Sequence, residues 1–169
     1  MIRAREVLAD CEQALADFEA AGPAPCWRTR WTGLVALLRA VGYVLKDIDA
    51  RQDTDLKKAN DDAWKILKES KPEPLIFHKF IEEERNNVVH LYRIGARLNT
   101  KIVPGTGRLS FSGESQRGLC GSTTYDSSML SGVFCGRDAI EVCREAIAFW
   151  KDYLDKVEAE EQAKSGSPV

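Results

Sequence analysis

The chain has 169 residues, 44% hydrophobic and 30% charged, with a formal net charge of -2. This composition suits one globular domain large enough to bury a core without disulfide or metal staples. It excludes a global basic field, so a nucleic-acid partner would have to be met at a local patch.

No apolar run approaches the roughly 18 residues of a membrane-spanning helix, and no membrane contact is expected. The N-terminus, MIRAREVLADCEQAL, is charged throughout and has neither the apolar stretch nor the cleavage site of a secretory signal. A cytoplasmic location is the expectation. Five cysteines, at positions 11, 26, 120, 135 and 143, include no C-x-x-C pair and no zinc-finger spacing with the two histidines, so neither a metal nor a cofactor is expected. Cys11 and Cys143 read as small core residues. A bridge between Cys120 and Cys135 is open on spacing, but a cytoplasmic location argues against it.

Residues 2–20 place Val7, Leu8, Cys11, Leu15 and Phe18 at three- and four-residue intervals, an amphipathic helix ended by GPAP at 22–25. From Trp27 to about Arg51 the sequence is apolar on most sides between Trp31 and Ile48, as a buried central helix should be. Asp53 can cap a third helix with Leu56, Ala59, Ala63, Trp64 and Leu67 as its inward stripe, broken by KPEP at 71–74. Pro74 suits the first turn of a fourth helix. That helix runs LIFHKFIEEERNNVVHLYRIGARL over 75–98, with Phe77, Phe80, Ile81, Val88 and Leu91 inward.

Residues 99–137 are rich in Gly, Ser and Thr, with β-prone pieces such as RLSFS, and predict an inserted hairpin or ordered surface excursion. Asp138 can cap the last helix, where Ile140, Cys143, Ile147, Trp150, Leu154 and Val157 recur at helical spacing. The expected fold is therefore mainly α, a bundle of about five helices in one domain over 1–162. A Gly/Ser-rich insertion precedes the last helix, and a disordered tail covers 163–169.

The chemically distinctive segment is EEERNNVVHLYR at 82–93. At 100° per residue Asn86 and His90 share a face, and Arg85 has the reach to converge with His90. Histidine titrates near neutral pH and arginine offers a fixed fork for phosphate oxygens. Such a triplet can hold a phosphodiester and move a proton beside it.

The run R85-N86-N87-V88-V89-H90 resembles the signature of HEPN domains, helical bundles marked by Arg, four to six residues, then His, often with Asn directly after the Arg. The resemblance implies a metal-independent endoribonuclease of a prokaryotic defence or toxin–antitoxin system. In such an enzyme Arg85, Asn86 and His90 are the catalytic set, and a homodimer brings two motifs together. His90-Leu91-Tyr92 resembles the extended motif of HEPN toxins paired with a minimal nucleotidyltransferase. By that resemblance Tyr92 is a candidate for inactivating AMP transfer, and a nucleotidyltransferase-type antitoxin is an expected partner. The substrate would be RNA, since the implied nucleophile is the 2′-OH that DNA lacks.

A reading from another class makes the same bundle a non-catalytic module that holds a nucleic acid or a protein. His78, among Phe77, Phe80 and Ile81, reads as a partly buried structural residue. Glu82, Glu83 and Glu84 read as solvated helix surface. Trp27 and Trp31 read as core or dimer packing, and Arg28, Arg30 and Arg39 as ordinary surface charge. The glycines at 105, 107 and 113 lack the strand-to-helix context of a phosphate loop.

Overall fold

The structure, a computed structural model, describes the backbone of residues 1–20, 26–106 and 119–165, with side chains outside 100–125 and 165. The GPAP segment, RLSFS, Gly107 and Gly113 lie outside the described residues. So does the side chain of Cys120, but Cys135 is a free thiol that donates to the Leu130 carbonyl at 3.3 Å, so the bridge between them that spacing left open is not formed.

Five helical rods and one hairpin make the architecture, a mainly α bundle with the hairpin inserted before the last helix. The helix α1 (Arg3–Ala20) packs along α2 (Trp27–Val44). The latter continues without a break through a π-helical turn, Leu45–Asp49, into the short α3 (Ala50–Gln52). Asp53 is extended, and its carboxylate accepts from the N–H groups of Asp55 and Leu56, capping α4 (Thr54–Glu69) as the sequence predicts. A second π-helical turn, Ile76–Ile81, leads into α5 (Glu82–Leu91). Strands β1 (Ala96–Thr106) and β2 (Leu119–Met129) pair antiparallel, Ala96 opposite Met129. The bundle closes with α6 (Ala139–Ser165), whose start is bound by Asp138. Its Oδ1 accepts from the Ile140 N–H and from the Ser127 hydroxyl of β2, each at 3.0 Å. No helix among the described residues is long and apolar enough to cross a membrane.

Two boundaries differ from the sequence reading. The last helix runs past Ala163 to Ser165, and Lys164 reaches Asp62 of α4 at 3.1 Å. The insertion starts at Ala96 rather than 99, because Ala96 is buried and pairs with Met129 at the foot of the hairpin.

The core takes the apolar stripe of each rod. Leu8, Cys11, Leu15 and Phe18 come from α1, Trp31, Leu34, Leu38 and Val41 from α2, and Trp150, Leu154 and Val157 from α6. Cys11 and Cys143 are fully covered, and burial pushes both thiols up, Cys11 to about 12, which leaves them unreactive packing groups. Asp49 shows how the long second rod holds the first. Its two carboxylate oxygens accept from the Arg3 and Ala4 N–H groups at 3.0 and 2.9 Å, so the N-terminus of α1 is capped from 45 residues away.

Gly42 lies in the interior of α2, where its missing side chain lets the Trp150 indole approach; an added Cβ would fall 2.6 Å from the tip of that ring. Gly42→Ala gains roughly 1 kcal/mol of helix propensity but overpacks a filled core at a cost of about 1–3 kcal/mol. A net loss of about 1 kcal/mol is expected, read as a lower denaturation midpoint.

Candidate functional site

The motif helix is anchored by its inward side chains. Glu84 and Val88 point into the bundle at 5% and 2% exposure, leaving residues a third to half a turn away to face outward. Arg85 is half-buried, while Asn86 and His90 are exposed. The Arg85 guanidinium spans them. Its Nη1 donates to Asn86 Oδ1 at 3.1 Å and lies 3.0 Å from His90 Nε2. A guanidinium can only donate, so Nε2 presents its lone pair and the imidazole carries its proton on Nδ1. The three residues singled out by the sequence thus meet on an open helix face.

Tyr92 is placed differently from the expectation of a helix running to Leu98. The helix stops at Leu91, and Tyr92 takes a left-handed conformation, φ 50° and ψ 35°, at the C-cap. The Arg93 N–H then donates to Asn87 O at 2.9 Å, the closing bond of such a cap. The chain must turn here for Gly95 to reach Glu84 and for Ala96 to enter the hairpin. Leu91, expected inward, is 57% exposed as a result. The Tyr92 ring is also exposed, with the Arg28 guanidinium 5.6 Å from its centroid.

The acidic run divides into three environments, and only Glu83 matches the solvated reading, paired with Lys79 at 2.7 Å. Glu82 is half-buried in a network with Lys68, to which it is hydrogen-bonded, Arg39 at 3.6 Å and His78 at 3.5 Å. Burial pushes its carboxyl up, but the Lys68 and Arg39 charges and the hydrogen bonds from Lys68 and His78 outweigh burial and hold it below the usual range. His78 is buried, with Nε2 donating to the Leu67 carbonyl at 2.9 Å. That contact is a structural one.

Glu84 is the larger departure. Its Oε1 accepts from the Trp31 indole N–H at 3.0 Å and from the Gly95 N–H at 2.7 Å, tying the motif helix to α2 and to the start of the hairpin. Glycine at 95 is required by this clamp, since a Cβ there would sit 2.9 Å from the Glu84 carboxyl carbon. Burial raises the Glu84 pKa; the two hydrogen bonds oppose that shift but do not cancel it. An acid raised in the folded state contributes stability that is fully present below its ordinary pKa and is lost as pH rises through the raised value. Glu84→Gln keeps the Oε1 acceptor and removes the buried charge. It is expected to be more stable than the wild type at pH 7, by on the order of 1 kcal/mol, with the gap closing toward pH 4 in parallel denaturation curves.

Trp31 is fully buried against Phe18 and Phe80, and Trp27 packs partly against the core, as the packing reading has it. The three arginines of α2 separate. Arg30 donates to the Asp17 carbonyl at 3.0 Å, Arg28 covers Tyr92, and Arg39 is half-buried beside Glu82, where surface charge had been expected.

On the other flank of α5, Asn87, Arg93, Ile94, Gly95, Leu130 and Ser131 line an open hollow of about 440 Å³. Among the described residues no group of three or more His, Cys, Asp and Glu side chains is placed to share a metal ion. Set against known proteins, the chain matches no family model, no curated protein and no solved structure.

Proposed function

We propose that the protein is a metal-independent endoribonuclease in which Arg85, Asn86 and His90 act on one phosphodiester. The observation that carries the reading is the 3.0 Å contact between Arg85 Nη1 and His90 Nε2 on an exposed helix face. A base and a phosphate-binding fork already share one spot there.

The chemistry follows from the donors. A phosphate entering the site competes for the guanidinium, taking N–H groups that otherwise occupy His90 Nε2 and Asn86 Oδ1. The freed Nε2 accepts the proton of the adjacent ribose 2′-OH, whose oxygen attacks phosphorus and expels the 5′-oxygen of the next nucleotide. The products are a 2′,3′-cyclic phosphate and a free 5′-OH. Arg85 stabilises charge on the non-bridging oxygens, and Asn86 orients the guanidinium. One imidazole does not readily serve both proton transfers, so a homodimer supplying a second His90 completes the scheme.

By its resemblance to HEPN toxins, such an enzyme would serve as a toxin or effector of a prokaryotic defence or toxin–antitoxin system, in the cytoplasm. A nucleotidyltransferase-type antitoxin would add AMP to the exposed Tyr92 hydroxyl. A second reading, a non-catalytic module for nucleic acid or protein, draws support from the exposed Val89, Leu91, Leu130 and Val133, apolar side chains of the kind a partner covers.

The test is incubation of the purified protein with total RNA and with tRNA in EDTA, with product ends identified by mass. Cyclic phosphate ends are expected. No cutting by folded protein, in the absence of AMP on Tyr92, would transfer the case to the binding module.

A further inference from the structure

We propose that the outer face along which α2 and α5 meet is a track for single-stranded RNA, with an arginine–tyrosine pair at each end. The proposal rests on the nuclease reading and deepens it, naming the substrate as unpaired and giving the residues that hold its flanks.

The track is built from the register of two antiparallel helices. On α2, Arg28, Thr32, Arg39 and Tyr43 recur at helical spacing along one edge, and contacts show that this edge faces the motif helix. Arg28 meets Tyr92 just past the end of α5, while Arg39 meets Glu82 at its start. The Arg39 guanidinium lies 4.6 Å from the Tyr43 ring centroid, and Arg28 covers Tyr92 at 5.6 Å. Both tyrosines are open to solvent, at 48% and 72% exposure. The Arg85–His90 pair occupies the stretch of α5 between them.

Charge and shape fit one class of occupant. Arg39 and Lys68 share the Glu82 carboxylate, whereas no ion pair occupies Arg28 or Arg85 among the described residues. Two guanidinium groups are thus left for phosphate in a chain whose net charge is negative. Rings flanked by guanidinium groups, about 22 Å apart along α2 at 1.5 Å per residue, offer two stacking stations, with the exposed Arg28 as a phosphate donor beside one of them. Bases can use such stations only when they are unstacked from a partner strand. Duplex RNA hides its base faces and would leave both tyrosines idle.

The test measures anisotropy of a labelled 2′-O-methyl oligoribonucleotide of about ten nucleotides, within the usual site sizes of single-strand binders. The methyl group blocks the 2′-OH, so binding is read without cleavage. Tyr43→Ala is expected to weaken binding about 10-fold with the salt slope unchanged, while Tyr43→Phe binds like the wild type. Arg28→Ala is expected to weaken binding similarly and to flatten the slope of log K against log salt by about 0.7. The double variant should lose about 100-fold if the stations act independently. Circular dichroism melts confirm that each variant is folded.

Wild-type affinity in both alanine variants, equal affinity for a duplex of the same length, or no binding by the wild type would each overturn the track. Cleavage of RNA in EDTA tests the nuclease reading separately, and it would stand through any of these results if cutting persists.

Discussion

His90→Ala is expected to lose about 10²–10⁴ in the rate of RNA cleavage, the range that a positioned general base or acid contributes. The loss should come with an unchanged melting temperature, because His90 is exposed and its one described contact is with Arg85. Arg85→Ala removes both the phosphate fork and the group that holds Asn86 and His90 in place, so a loss of about 10²–10³ is expected. Arg85→Lys keeps the charge but not the planar fork and should recover only part of that loss. Residues that act as one unit are not additive. The double alanine variant should therefore be little worse than the poorer single variant in initial-rate measurements made in EDTA with matched protein folds. Full activity in His90→Ala would remove the proposed proton transfer from this residue.

Trp31→Ala is the substitution expected to damage the fold most. The indole is fully buried, touches Phe18 and Phe80, and donates to Glu84. Emptying such a site costs about 3–5 kcal/mol, and leaving the Glu84 carboxyl one donor short adds about 1–3 kcal/mol. Against a typical domain stability of about 5–15 kcal/mol, the variant should be largely unfolded or melt many degrees lower. Trp31→Phe separates the two effects, keeping most of the packing and losing the N–H. Its expected cost is about 1–3 kcal/mol, and pairing it with Glu84→Gln should recover part of it. A melt of Trp31→Ala close to the wild type would show that the Trp31–Glu84 clamp does not hold the bundle.

The rods were legible because their signals are local. Leu56, Ala59, Ala63 and Leu67 repeat at helical spacing behind an Asp53 cap, and all four are buried where that pattern puts them. The meeting of Arg85, Asn86 and His90 was legible for the same reason, since a helix fixes the relative positions of residues one to five apart. The end of the motif helix was not. Leu91, Ile94 and Leu98 carry the helical spacing onward, and the turn is made at Tyr92, a residue with no C-cap signature, instead of at glycine. What stops the helix is tertiary: the Gly95 N–H on Glu84 and the Ala96–Met129 pairing. Glu84 was misread alongside its neighbours because three consecutive acids look alike in composition. Which one turns inward depends on a tryptophan 53 residues earlier.

The left-handed turn at Tyr92 bears on how this chain can evolve. A side chain in that conformation costs roughly 1–2 kcal/mol that glycine would not incur. Selection for heat resistance alone would therefore replace Tyr92 with glycine or asparagine, and the gain would come at once. The same step would erase the ring beneath Arg28 and the only hydroxyl on the turn that follows His90. Persistence of tyrosine at this position across diverged sequences would then record selection acting on the site against the grain of stability, a signature readable from sequences alone.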